Sequence, residues 1–156
     1  MKANRCFFIG HADTTEDIFP GLSIAIEQQI EQHDVTEFYV GSNDHFDVLV
    51  FRALRAVKRR YPHIRCYLVL AYHSDDVHID PPVGMDGIYY PLMESNSAHR
   101  AISRTNRAMI DQCDVLIAAA NHPGRPREVL QYAQQREQRG LIRIVNLLDI
   151  KNEGTP

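Results

Sequence analysis

Tryptophan is absent, cysteine occurs only three times, and apolar runs such as Val115-Leu116-Ile117-Ala118-Ala119-Ala120 stop far short of a membrane span. A spanning helix needs roughly 20 apolar residues, so none is expected and no membrane partner with it. Cys6, Cys66 and Cys113 are odd in number, widely spaced and set among apolar neighbours. That pattern does not suit a disulfide framework or a zinc site; it fits small buried hydrophobes in a reducing compartment. Neither a GxGxxG nor a GxxxxGK[ST] phosphate fingerprint is present. Charge of one sign is also missing: 17 basic residues face 20 acidic ones, a net of -3, so no general positive field gathers nucleic acid. Any anion site must be local. Low-complexity tracts and internal repeats are lacking, and Met-Lys-Ala-Asn-Arg leads into a strand without a signal-peptide apolar region. The expected location is the cytoplasm.

What is present is an alternation. Residues 5–10, 36–41, 65–71, 114–119 and 141–147 are apolar enough to form strands buried on both faces. Between them, 17–33, 46–60, 98–112 and 125–139 carry helical spacing. In 46–60, Phe46, Leu49, Val50, Ala53, Leu54 and Val57 make one apolar stripe, while Arg52, Arg55 and Arg59 lie off it. This predicts an α/β chain: a three-layer, Rossmann-like domain with a mainly parallel sheet of about five strands. A length of 156 residues suits one domain, taken as 1–150, with 151–156 as a flexible end. The irregular piece is 72–97, with Pro81, Pro82, Gly84, Gly87 and Pro91 and a short strand candidate at Gly87-Ile88-Tyr89-Tyr90. It reads either as a lid or as a surface insertion. Its density of Met and aromatic side chains over 83–93 suits either an interface between copies or packing on its own sheet.

Ligands of open α/β sheets bind beyond the carboxyl ends of the strands. Polar residues collect there: Gly10, His11 and Asp13 after the first strand; Gly41, Ser42, Asn43, Asp44, His45 and Asp47 after the second; His73 after the third; Asn121, His122, Gly124 and Arg125 after the fourth. Gly10 and Gly41 lack a Cβ, so they admit either a sharp turn or close ligand approach. His11, His45 and His73 are weak metal-ligand candidates, because no HxH, HExxH or HxxxD spacing supports them, and no metal or other cofactor is expected. Arg104, Arg107 and Asp111 share a helical face, which fits a salt-bridged surface; alternatively Arg104 reads a phosphate and Asn106 a hydroxyl or base edge. The basic series along 52–65 fits a solvated helix face, since no aromatic residues are interleaved for base stacking.

Taken in order, Gly10-His11, the FYVG run at Phe38-Tyr39-Val40-Gly41 with Phe46-Asp47, Arg59-Arg60-Tyr61-Pro62, Asn106-Arg107 with Met109-Ile110-Asp111, Asp114-Val115-Leu116-Ile117-Ala118, and Tyr132-Ala133 resemble the SMF/DprA-LOG (SLOG) superfamily. The resemblance is to its small bacterial and prophage branch and spans about residues 5–147. It implies a Rossmannoid domain that binds a nucleotide or nucleotide-derived phosphate ligand, as a sensor or binding module, and forms homo-oligomers. On that reading Gly10, His11, Gly41, Ser42, Asn43, Asp47, Arg104, Asn106 and Arg125 bind the ligand. The alternatives are a small nucleotide hydrolase acting on an N-glycosidic or phosphate-ester bond, with Asp44, Asp47 and Glu128 as its carboxylates, and an oligomeric protein-interaction module. Members that cleave nucleoside monophosphates carry PGGxGTxxE. This chain has Pro123-Gly124-Arg125-Pro126-Arg127-Glu128, so side-chain cations stand where that motif has glycine amides.

Overall fold

Six short β-rich runs all become strands of one sheet. The computed structural model describes residues 4–42, 44–71, 80–91 and 98–148. The strands are β1 (Asn4–Gly10), β2 (Val35–Val40), β3 (Arg65–Val69), β4 (Gly87–Tyr89), β5 (Val115–Ala119) and β6 (Arg143–Asn146). The helices are α1 (Phe19–His33), α2 (His45–Arg60), α3 (Ala98–Gln112) and α4 (Arg125–Gln138). All pairings are parallel, in the order β4-β3-β2-β1-β5-β6. The chain therefore builds outward from β1 through β4, then crosses back to lay β5 on the other side of β1. That reversal puts the topological switch point between β1 and β5.

Strand alternation sorts the core into two layers. Cys6, Phe8, Phe38, Val40, Val115 and Ile117 face α1 and α2, where Leu22, Ile26, Phe46, Leu49 and Leu54 close the layer. Phe7, Ile9, Tyr39, Leu116 and Ala118 face the other way, against Met109 and Ile110 of α3 and Val129, Leu130 and Ala133 of α4. Fully buried side chains such as Phe8, Phe38 and Phe46 each contribute about 1.5–3 kcal/mol by leaving water. The sheet has one strand more than the five expected, because Gly87-Ile88-Tyr89 pairs with Tyr67-Leu68-Val69 along the edge.

The first helix starts later than its apolar spacing suggested. A 3₁₀ turn covers Glu16–Ile18, and α1 begins at Phe19 with Pro20 in its first turn, where a missing N–H costs nothing. Residues 11–15 are thereby left as a loop above the switch point.

In the 83–93 segment, Tyr89 packs edge-on against Tyr39 with ring centroids 5.1 Å apart and donates to Gln112 Oε1. Met85 packs against the α1/α2 layer, whereas Val83 is exposed; Leu92 and Met93 lie outside the described residues. Three basic residues of α2 form ion pairs within the chain. Arg52 pairs with Glu16 at 2.9 Å, Lys58 pairs with Asp86, and Arg60 pairs with Glu27. All three cysteines are free and buried, and burial pushes the Cys66 thiol up to about 12, so it packs as a neutral hydrophobe. Among the described residues no helix is long and apolar enough to cross a membrane.

Candidate functional site

At the carboxyl ends of β1, β2 and β5, loops and helix starts surround a cleft of about 200 Å³. Its polar lining is Asp44, Asp47, Asn106 and Arg125; its apolar lining includes Phe7, Ile9, Ala12 and Pro126, and Gly41 forms part of its rim. Three helices supply the polar groups, each for a local reason. Asp44 is the N-cap of α2, its carboxylate accepting the Asp47 N–H at 3.1 Å, which fixes the first turn. Burial raises its carboxyl above the ordinary range, opposed by the N–H bonds it accepts and by the nearby His11 and His45. Asp47, one turn on, is 7% exposed.

Asn106 comes from the middle of α3 and is only 3% exposed. Its helix neighbours are all engaged elsewhere: Thr105 donates to the Ala71 carbonyl, Met109 and Ile110 pack the core, and Arg107 lies over the Tyr132 ring at 5.3 Å. Among the described residues the Asn106 carboxamide makes no hydrogen bond, and it lines the cleft. It is not among the orphaned buried groups, of which Arg136 Nε is the one found among the described residues; its polar atoms stay open to the cleft, where an entering group can meet them.

The N-terminus of α4 adds the positive end. Gly124 is the N-cap at φ 139°, a conformation that strains any side chain, and it provides no side-chain cap to the first turn. The Arg125 and Arg127 N–H groups precede the first helical bond, Glu128 N–H to the Gly124 carbonyl at 3.1 Å. Arg125 itself lines the cleft. An uncapped first turn and a guanidinium on one wall make an anion-accepting end, with two carboxylates and an amide opposite.

Behind Ala12 lies a second cavity of about 170 Å³, lined by His11, Asp13, Thr14, Thr15, Asp17, Ile18, Asn121, His122 and Leu148. His11 is buried, and its Nε2 accepts the Asn121 and His122 N–H groups at 3.3 and 3.4 Å. Its ring stacks on that of His122, centroids 3.4 Å apart and planes 13° from parallel. His122 Nε2 stands 3.4 Å from Asp13 Oδ1. Among the described residues His11, Asp13 and His122 are the one grouping whose donor atoms come within 4.8 Å of one another. An imidazole binds a metal along its in-plane lone pair at about 2.0–2.1 Å. Rings stacked almost parallel share no in-plane point so close, so the donors are gathered but not aimed at one cation.

Desolvation lowers the His11 pKa, with a smaller contribution from His122 in the same direction and opposition from Asp13 and Asp44. The unfolded chain then binds a proton near the ordinary imidazole value of 6.5 while the folded chain resists it. Stability is therefore lost as pH falls through 6.5 and levels off below the folded value. Urea titrations at several pH values should show this slope in the native chain and a shallower one in His11→Asn, which keeps an acceptor without a titrating ring.

The sequence candidates divide between the cleft and the rest of the chain. Gly41, Asp44, Asp47, Asn106 and Arg125 come together in the cleft, and His11 sits behind its wall. Gly10 does not line the cleft. A Cβ there would fall 2.3 Å from Phe46 Cγ, so its missing side chain makes room for a core aromatic rather than for a ligand. Ser42, Arg104 and Glu128 are exposed and outside the lining, and His45 is not part of the histidine group. Asn43 and His73 lie outside the described residues, as do 151–156. Asp111 binds α4 rather than its own helix, accepting from Tyr132 Oη at 2.6 Å and pairing with Arg136 at 3.2 Å.

Thr14, Thr15 and Asp17 were missed as cavity residues, although Pro20 signals a late helix start and hence a longer loop. Asn146 was missed too. Its carboxamide grips the end of β5, donating to the Ala120 carbonyl at 2.9 Å, and no sequence motif marks it. Comparison with protein-family models and with curated proteins finds no match to this chain.

Proposed function

We propose that this chain binds a nucleoside phosphate in the cleft between α2, α3 and α4, as a sensor or binding module. The observation that carries the reading is Asn106, a largely buried residue whose carboxamide lines the cleft and makes no hydrogen bond among the described residues. Its surroundings supply the rest of a nucleotide's chemistry. The uncapped α4 N-terminus and Arg125 take phosphate, Asp47 and Asp44 accept ribose hydroxyls, and the apolar lining at Ile9, Ala12 and Pro126 covers a base.

A second reading, hydrolysis of an N-glycosidic or phosphate-ester bond, is favoured by the same two carboxylates, one of them raised by burial as a proton donor needs. Both readings meet in one experiment. A thermal-shift panel of nucleoside mono-, di- and triphosphates, with inorganic phosphate and sulfate as controls, should raise the melting temperature selectively for nucleotides. Arg125→Ala should weaken that binding about tenfold, the worth of one exposed charged contact. A panel that moves the midpoint no more than sulfate does sinks the binding reading. Chromatography of the recovered compounds separates the two: intact nucleotide means binding, and free base or phosphate that disappears in Asp47→Asn means hydrolysis.

A further inference from the structure

Side chains hold the backbone of the loop between β5 and α4. Three successive N–H groups go to side-chain acceptors: that of Ala120 to Asn146 Oδ1 at 3.4 Å, and those of Asn121 and His122 to His11 Nε2 at 3.3 and 3.4 Å. Asn146 also donates to the Ala120 carbonyl at 2.9 Å, which fixes the loop at its β5 end. From Asn121 onward the hold passes to His11. That residue is itself anchored, its N–H donating to the Ala119 carbonyl at 3.3 Å and its carbonyl accepting the Thr14 hydroxyl at 2.6 Å. It is 5% exposed, and its ring atoms Cε1 and Nδ1 lie 3.9 and 4.0 Å from where Gly124 would carry a Cβ. Gly124 is the N-cap of α4, and the next two residues, Arg125 and Pro126, line the cleft.

An imidazole accepts a hydrogen bond only through an unprotonated nitrogen. Taking two N–H groups at Nε2 therefore requires the neutral ring with its hydrogen on Nδ1. In the imidazolium both nitrogens are donors, so turning the ring over restores no acceptor. A proton on His11 thus sets donor against donor at Asn121 and His122. The charges around the ring pull in both directions. The His122 ring stacked on it, centroids 3.4 Å apart, opposes the proton, while Asp13 on its own loop and Asp44 at the start of α2 favour it. Asp17, in the 3₁₀ turn across the cavity, accepts from the Thr15 hydroxyl, and Arg125 of α4 lies on the cleft side.

We propose that His11 is a proton-operated latch on this loop: neutral, it ties residues 121 and 122 to the end of β1; protonated, it releases them and the first turn of α4 shifts. Val129, Leu130 and Ala133 keep the rest of α4 in the core, so the displacement is confined to residues 121–126. The latch does not depend on what the cleft binds, although it moves the wall that carries Arg125.

Nuclear magnetic resonance of the purified, isotope-labelled chain tests this, with pH lowered from about 7.5 to about 5 across the imidazole range. The amide signals of residues 121, 122, 124 and 125 should shift together, with the midpoint of the His11 ring and below the ordinary value of 6.5. His122→Asn removes the second titrating ring and should keep the transition. Adding His11→Asn to that variant should abolish it, while unchanged core signals from β1 and β2 show that both variants fold. Amides at 121 and 122 that stay put while the His11 ring takes its proton overturn the latch, as does a transition that survives the double substitution. A shift limited to 121 and 122 overturns the coupling to α4, and a His11 ring that stays neutral until the chain unfolds overturns the switch altogether.

Discussion

Gly10→Ala should cost about 3 kcal/mol of stability, at the upper end for one added methyl group in a packed core. The new Cβ would lie 2.3, 2.6 and 2.7 Å from three ring carbons of Phe46, distances at which something must move. Phe46 cannot swing into solvent, because it is fully buried in the α1/α2 layer at the first turn of α2. Nor can β1 retreat, since β2 and β5 pair with it on both sides. A loss of that size lowers the melting temperature of a domain this long by roughly 10 °C. Adding Phe46→Leu to Gly10→Ala should restore part of the loss, so the double variant is less damaged than the two single effects summed. Melting within a degree or two of the native chain would show that the contact relaxes at little cost.

The second large effect concerns binding. Asn106→Asp exchanges one side-chain nitrogen for oxygen, keeps the shape, and adds a carboxylate to a cleft that already holds Asp44 and Asp47. On the proposed reading, a third negative charge opposite the α4 N-terminus would repel a bound phosphate, and like-charge contacts of this kind cost several kcal/mol. Nucleoside phosphate affinity should fall by about 100-fold or more, measured by calorimetric titration. Asn106→Ser, which removes the amide without adding charge, should melt near the native chain and lose less affinity. An aspartate variant that folds and binds normally would place the ligand elsewhere.

The fold was legible because its signals are local and repeated. Each strand carries apolar residues on both faces, and each helix shows its stripe, so β1, β2, β5 and all four helices emerge close to the expected ranges. The edge strand was harder, since three residues with partly exposed side chains carry little pattern. The site was legible only in part, for a physical reason. Strand ends announce which loops surround a ligand, and those loops did bring Gly41, Asp44, Asp47 and Arg125 to one cleft.

What a linear pattern cannot tell is direction. Gly10 has the features of a ligand-facing glycine, yet its open side meets Phe46, 36 positions away by residue number. Arg104 and Asn106 are two residues apart on one helix; one is exposed and the other almost fully buried. Their separation by about 200° around the helix axis decides which of them reaches the cleft.

The strand order also bears on how the molecule comes into being. The Arg5 backbone N–H donates to the Asp114 carboxylate, 109 positions on, and the Arg5 carbonyl accepts the Asp114 N–H. While β1, β2 and β3 are being synthesised, the strand destined for the centre of the sheet has an open edge, and its partner does not yet exist. Closing that edge requires a long-range pairing, of the kind that slows folding and leaves intermediates open to aggregation. Translation past β5 is thus the step that seals the central strand, and the loops after β1 and β5 that border the cleft meet for the first time in that same event.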